Sequence, residues 1–278
     1  MAQAARGRIM YGMSVSVGAF YNPHLATATL EAQGLIQHLA MADPPRPDDP
    51  HFPAIRERFV LLLHDFLGQL SEPLRGAALE RARALVALYR SPWAAEHLQR
   101  VHTTDGDAFV DYVFPPVYTE DLLADYVANA RALREALGVP LVLEPIPTYL
   151  GLPLPQLGEI EFVRRFYAES GCGMLLDISH AWLSAHYAGV PPREFIAALP
   201  LERIVELHVA GVEPDRDLGG PWIGAAVPDR EILDLAVYAA ARAPGLRAVT
   251  FDAFSTALGA DALRAGVRAI RDAFGLPA

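Results

Sequence analysis

Eight short apolar or β-branched runs recur along the chain, separated by stretches of helical periodicity or by long connections. The runs are Met10–Val17, Leu35–Met41, Phe59–His64, Trp93–His97, Pro140–Pro145, Gly173–Ser179, Arg203–Val209 and Arg247–Ala253. Helical patterns fall at Glu80–Tyr89, Thr119–Leu137, Glu159–Ser170, Asp229–Ala243 and Ala260–Phe274. Thr-Glu-Asp at 119–121 supplies an N-cap and an acidic first turn, and glycines at 138, 171 and 275 stop three of these segments. Alternating strands and helices with short Gly/Pro punctuation imply an α/β fold with a parallel sheet. Eight strands in 278 residues predict a closed (β/α)8 barrel spanning the chain as one domain, with a short polar stretch at 1–9 expected to be flexible. No glycine-rich GxGxxG follows the first run, which counts against a dinucleotide fold. Three connections read as long loops: Ala42–Pro53, His102–Pro116 and Val212–Val227.

A barrel of this kind carries its active site at the C-terminal ends of its strands. His64 ends the third run, His97 the fourth, Glu144 the fifth and His208 the seventh. Asp177 and His180 close the sixth, and Asp252 the eighth. Six successive strands thus aim a carboxylate or imidazole at one axial mouth. Burying that many ionisable groups is costly unless they are compensated, and a bound cation compensates them. Each has an ordinary structural explanation taken alone: a satisfied histidine at 64 or 97, an Arg partner for Glu144, an N-cap role for Asp177. The coincidence at six strand ends favours a metal site. Carboxylates and imidazoles with little thiolate suit iron, manganese, zinc or cobalt. His38 and Glu206 are expected to face the helical layer or pair with Arg. His24, His51, His102 and His186 read as solvated, and Cys172 as structural.

Composition removes several chemistries. All 23 basic residues are Arg, so no lysine is present for a Schiff base, pyridoxal phosphate or a phosphate loop. A single cysteine excludes a disulfide framework and a multi-thiolate zinc site. A net charge of −10 argues against nucleic acid or an anionic membrane as partner. No secretory segment or membrane-length apolar run stands out, so a soluble, cytoplasmic protein is expected.

Several segments carry a resemblance: Glu-His-Leu at 96–98, Tyr-Thr-Glu-Asp-Leu-Leu at 118–123, Leu-Glu-Pro at 143–145, Gly-Cys-Gly-Met-Leu-Leu-Asp at 171–177 and His-Val-Ala-Gly at 208–211. In this order they resemble the multinuclear non-heme iron-dependent oxidases, the family of the methanobactin biosynthesis oxidase, within the xylose isomerase-like barrels. The resemblance implies His64, His97, Glu144, Asp177, His180, His208 and Asp252 as metal ligands, with His180 and Asp252 also placed for catalysis. It further implies iron and dioxygen chemistry on a residue of a ribosomal precursor peptide, with a partner protein presenting that peptide, or on a small natural-product substrate. This chain departs from the family pattern. Pro145 stands for the usual Asn, His180 for a ligating Asn, Val212 for a second His and Asp252 for Glu. The expected Asp-x-His pair has no counterpart in 221–226, leaving Glu213, Asp215 or Asp217 as replacements. One or two ions, iron or else manganese or zinc, are expected rather than three. Three alternatives stand beside the oxidase: a mononuclear sugar isomerase or epimerase, an endonuclease IV-like hydrolase, and a catalytically degenerate barrel that acts as a binding protein.

Overall fold

The computed structural model describes residues 15–42, 49–65, 70–102, 109–149, 156–214 and 220–277. Eight parallel strands close a barrel: β1 (Ser16–Phe20), β2 (His38–Met41), β3 (Val60–His64), β4 (Ala94–Leu98), β5 (Leu141–Pro145), β6 (Gly173–Asp177), β7 (Ile204–Val209) and β8 (Ala248–Phe251). Each strand pairs with its sequence neighbour, and β8 closes on β1. This is the architecture expected from the alternating pattern. The first strand is displaced: it begins at Ser16 rather than Met10, and 10–14 lie outside the described residues.

Nine helices are described: α1 (Ala26–Glu31), α2 (Phe52–Arg58), α3 (Gly76–Tyr89), α4 (Glu120–Leu137), α5 (Glu159–Ser170), α6 (Ile178–Ala188), α7 (Pro192–Ala198), α8 (Arg230–Ala240) and α9 (Ala260–Ala273). The local chemistry explains their ends. The Thr119 hydroxyl accepts from the Leu122 amide at 3.3 Å, and α4 stops at Gly138, whose φ of 70° suits a residue without Cβ. Asp229 caps α8 in the same way. Leu263, Val267 and Ile270 of α9 recur at helical spacing and are buried on its core-facing side.

Two predicted loops contain regular structure. Arg100–His102 pairs antiparallel with Phe109–Phe114 after β4, and Gly211–Pro214 pairs antiparallel with Pro221–Ala226 after β7. The β-branched and aromatic residues in Phe109–Phe114, and Trp222–Ile223, outweigh the Gly/Pro/Asp signal around them. Residues 43–48 of the first predicted loop lie outside the described residues, and α2 occupies its end.

Strand alternation divides the interior in two. Leu207 and Val209 of β7 face the large core between strands and helices. Inside the barrel, Leu62, Trp93, Ala95, Val142, Leu175 and Ala248 form a small apolar plug. Above it, toward the C-terminal strand ends, the lining turns polar: His64, Glu144, Asp177, His208 and Thr250 are all buried, and the buried Glu206 stands at the level of the plug, in register with Leu175 and Ala248.

Candidate metal centre

Strand register brings the predicted ligands together. His97 pairs with Glu144, Asp177 with His208, and His208 with Thr250. Glu144 is the hub. Its Oε2 lies 3.2 Å from His64 Nε2 and 3.5 Å from His97 Nε2, and its Oε1 lies 3.1 Å from His180 Nδ1. The His64 ring packs 4.8 Å from that of His97 and 5.1 Å from that of His208, centroid to centroid. On the far side, His208 Nδ1 faces Asp252 Oδ1 at 4.0 Å.

Three overlapping donor groups result: His64–Glu144–His208, Glu144–Asp177–His180 and Asp177–His208–Asp252, each with its donor atoms within 4.8 Å of one another. Glu144, Asp177 and His208 each belong to two groups, as bridging ligands would.

Several buried polar atoms of the cluster lack ordinary partners. Glu144 Oε2, Asp177 Oδ2 and His180 Nδ1 make no hydrogen bond, nor do the Nδ1 atoms of His64 and His97, whose Nε2 atoms are the ones turned to Glu144. An unpaired buried polar atom costs about 1–3 kcal/mol, so Glu144 Oε2, Asp177 Oδ2 and His180 Nδ1 together call for a shared partner. A cation fits, because every unpartnered oxygen is a carboxylate acceptor and every unpartnered nitrogen an imidazole ligand.

Asp177 shows how one residue serves two ends. Its Oδ1 accepts from the Ser179 hydroxyl at 2.5 Å and from the His180 amide at 2.9 Å, which caps α6. Its Oδ2 remains unpaired in the cluster. The cap and ligand readings are therefore compatible.

Electrostatics follow from the crowding. Burial alone would raise the Glu144 pKa, but His97, His180 and His64 hold it well below the usual carboxylate range. Burial would lower His97 and His208, but Glu144 and Asp65 around His97, and Glu206, Glu144 and Asp252 around His208, raise both to about 10. Asp252 is pushed up to about 6 by burial and by the charges of Asp177 and Glu144.

Some placements differ from expectation. His97 reaches Glu144 with Nε2, but its donor group is with Asp65 and Glu96, whose carboxylates lie 3.6 and 3.8 Å from Nδ1. Asp65 and Glu96 were missed, although each is the sequence neighbour of a predicted ligand. Asp65 adopts a left-handed backbone, with φ of 54°, which turns the chain directly after His64. His38 and Glu206 face the barrel interior rather than the helical layer, and neither pairs with Arg. Period-2 alternation carries the signal for Glu206, which must share a face with His208. Glu213 is exposed on the hairpin after β7; Asp215 and Asp217 lie outside the described residues.

The closed parallel barrel is similar in fold to a solved xylose isomerase-like TIM barrel/4-hydroxyphenylpyruvate dioxygenase fusion protein, with a TM-score of 0.56 over 92% of this chain and 42% of that one at 14% identity. L-ribulose 3-epimerase superposes with a TM-score of 0.59 over 94% of this chain and 95% of its own, at 16% identity, a likeness of fold alone. The chain belongs to the MbnB/TglH/ChrH family of RiPP precursor modification enzymes, whose model matches residues 40–246. It is 33% identical over 166 residues to a UPF0276 protein of Paraburkholderia phytofirmans, covering 59% of this chain and 53% of that one. It is 30% identical over 179 residues to a UPF0276 protein of Caulobacter vibrioides, covering 63% of each. The match thus spans between half and two-thirds of these relatives. No described helix is long and apolar enough to cross a membrane.

Proposed function

We propose that this chain is a non-heme iron oxidase that modifies a residue of a ribosomally made precursor peptide, delivered with the help of a partner protein. The observation that carries the reading is the crowding of His64, His97 and His180 around the buried carboxylate of Glu144 at the mouth of the barrel, where Glu144 Oε2, Asp177 Oδ2 and His180 Nδ1 have no hydrogen-bond partner. Family membership supports a peptide as the substrate class. Asp177, His208 and Asp252 form one donor group that would hold an ion, and Glu144 would hold a second either with His64 and His208 or with Asp177 and His180. Iron held there supplies Lewis acidity and one-electron redox chemistry with dioxygen.

The chain's own groups do the rest. Glu144 remains ionised among its imidazoles and keeps the cluster charge-compensated. His180, partly exposed at the N-terminus of α6, stands at the open side, where it orients substrate or binds metal. In the metal-free chain Asp252 is pushed up to about 6 by burial and by Asp177 and Glu144, so it exchanges a proton near neutrality whenever it is not bound to metal.

Metal analysis of protein purified without oxygen tests the reading. The expected result is one to two equivalents of iron, lost in Glu144→Ala and His208→Ala, and oxygen uptake that requires peptide. Protein that takes up no iron, manganese or zinc overturns it. Metal loading with sugar epimerisation and no oxygen uptake would instead point to the isomerase chemistry.

A further inference from the structure

Below the cluster, a file of hydrogen bonds runs through the barrel interior. Ser16 Oγ lies 2.7 Å from His38 Nδ1, and His38 Nε2 lies 2.9 Å from Thr250 Oγ1. Thr250 Oγ1 donates to Glu206 Oε1 at 2.7 Å, and His208 Nε2 lies 3.3 Å from the same oxygen. Trp93 Nε1 donates to the other oxygen, Oε2, at 2.9 Å. Ser16 and His38 line a cavity of about 220 Å³ at the N-terminal mouth of the barrel. The file therefore links that mouth to His208.

The direction of every bond follows from two groups. An indole N–H only donates, and a carboxylate only accepts. Glu206 thus receives from Trp93, from Thr250 and from His208, whose Nε2 must carry a proton. Thr250, having donated its one proton to Glu206, accepts from His38, so His38 also carries its proton on Nε2. His38 Nδ1 then accepts from the Ser16 hydroxyl. All protons point toward Glu206.

We propose that Glu206 is a positioning residue: by accepting from Nε2 of His208 it holds His208 in the tautomer whose Nδ1 lone pair faces Asp252 and the donor cluster. Trp93, Thr250, His38 and Ser16 hold Glu206 in that role. The inference rests on the metal-centre reading for its consequence, but the polarity of the file is independent of it. Outer carboxylates that orient a ligating imidazole are a general device of metal sites.

The isosteric change Glu206→Gln reverses the logic. The indole of Trp93 still needs an acceptor, so the amide carbonyl occupies the Oε2 position and the NH₂ faces His208 and Thr250. His208 must then accept at Nε2 and carry its proton on Nδ1, where it no longer offers a lone pair. Thr250 turns toward His38, which shifts its own proton to Nδ1.

Two measurements test this. Long-range ¹H–¹⁵N correlation spectra of metal-free protein labelled at histidine nitrogens read the His38 tautomer directly. Wild type is expected to show the Nε2–H form and Glu206→Gln the Nδ1–H form. An Nδ1–H form in wild type overturns the polarity of the file, whatever the metal reading. Anaerobic Fe(II) titration reads the consequence: affinity is expected to fall about 10- to 100-fold in Glu206→Gln. Wild-type affinity in that variant overturns the positioning role. Failure of wild-type protein to bind Fe(II) overturns the positioning role together with the metal-centre reading on which it rests, while the His38 tautomer still decides the polarity. If Glu206→Gln does not fold, the wild-type spectrum still decides the polarity, and Thr250→Val, which cuts the file between His38 and Glu206 and keeps the bond from His208 to Glu206, is expected to retain Fe(II) affinity within a few-fold. A loss as large as 10-fold in Thr250→Val overturns the assignment of the effect to Glu206.

Discussion

Oε2 of Glu144 and Nε2 of His64 lie 3.2 Å apart in the buried mouth of the barrel, and no hydrogen bond joins them. An ionised carboxylate and an imidazole at that distance, each aimed at common space, are poised for a third partner. Ligands that bind only the folded state stabilise it by mass action, about 2.7 kcal/mol at 100 times Kd. Iron or manganese is therefore expected to raise the melting temperature by roughly 5 °C or more. Thermal melts with and without chelator check this, and Glu144→Gln should erase the difference.

Protons compete with metal for the same atoms. His97 and His208 have pKa values raised to about 10, so both are protonated at neutral pH in the metal-free chain. Their ion pairs stabilise the fold fully below the ordinary histidine value of 6.5 and lose that effect as pH rises through about 10. Metal loading must displace these protons. Affinity is expected to increase from pH 6 to pH 9 with proton release, which calorimetry in buffers of different ionisation enthalpy measures. PH-independent binding would contradict it.

Glu159 provides a second pH effect, away from the cluster. Burial lifts its pKa to about 7 against the opposing bonds from Ser184 and Thr148; the Ser184 hydroxyl donates to it at 3.0 Å. A carboxyl raised in the folded state favours folding while protonated, so stability should decline as pH rises from about 4.5 through 7. Glu159→Gln is expected to flatten that part of the profile. Melting temperatures of both proteins between pH 4 and pH 8 test it, the shared histidine contributions cancelling in the difference.

Gly18 allows β1 and β2 to meet over His38. A Cβ at Gly18 would overlap the His38 ring and carbonyl oxygen, whereas at Gly34 it would meet nothing within 4 Å. Gly18→Ala is expected to destabilise the protein by about 1–3 kcal/mol through overpacking, and Gly34→Ala to be near neutral. Urea denaturation of the two variants compares them.

The barrel was legible because its signals are local. Short apolar runs, the Thr119 and Asp229 caps and the glycine stops at 138 and 171 each act within a few residues. Strand ends could likewise be read for ionisable side chains, and the structure brings all seven predicted residues to one mouth. Their standing as ligands is the proposal made above. Glu206 was readable and misassigned, since residues two apart on a strand share a face.

The sequence by itself determined the order of strands and helices and which residues stand at strand ends, because periodicity and capping are properties of neighbouring residues. Only the tertiary structure decided that Glu144 is the hub, that Asp65 and Glu96 flank His97, and that a polarised file reaches His208 from below. Those contacts join Ser16 to His38 and Glu206 to Thr250 across long stretches of chain. They exist only once closure of the barrel sets the register, and no local pattern encodes that register.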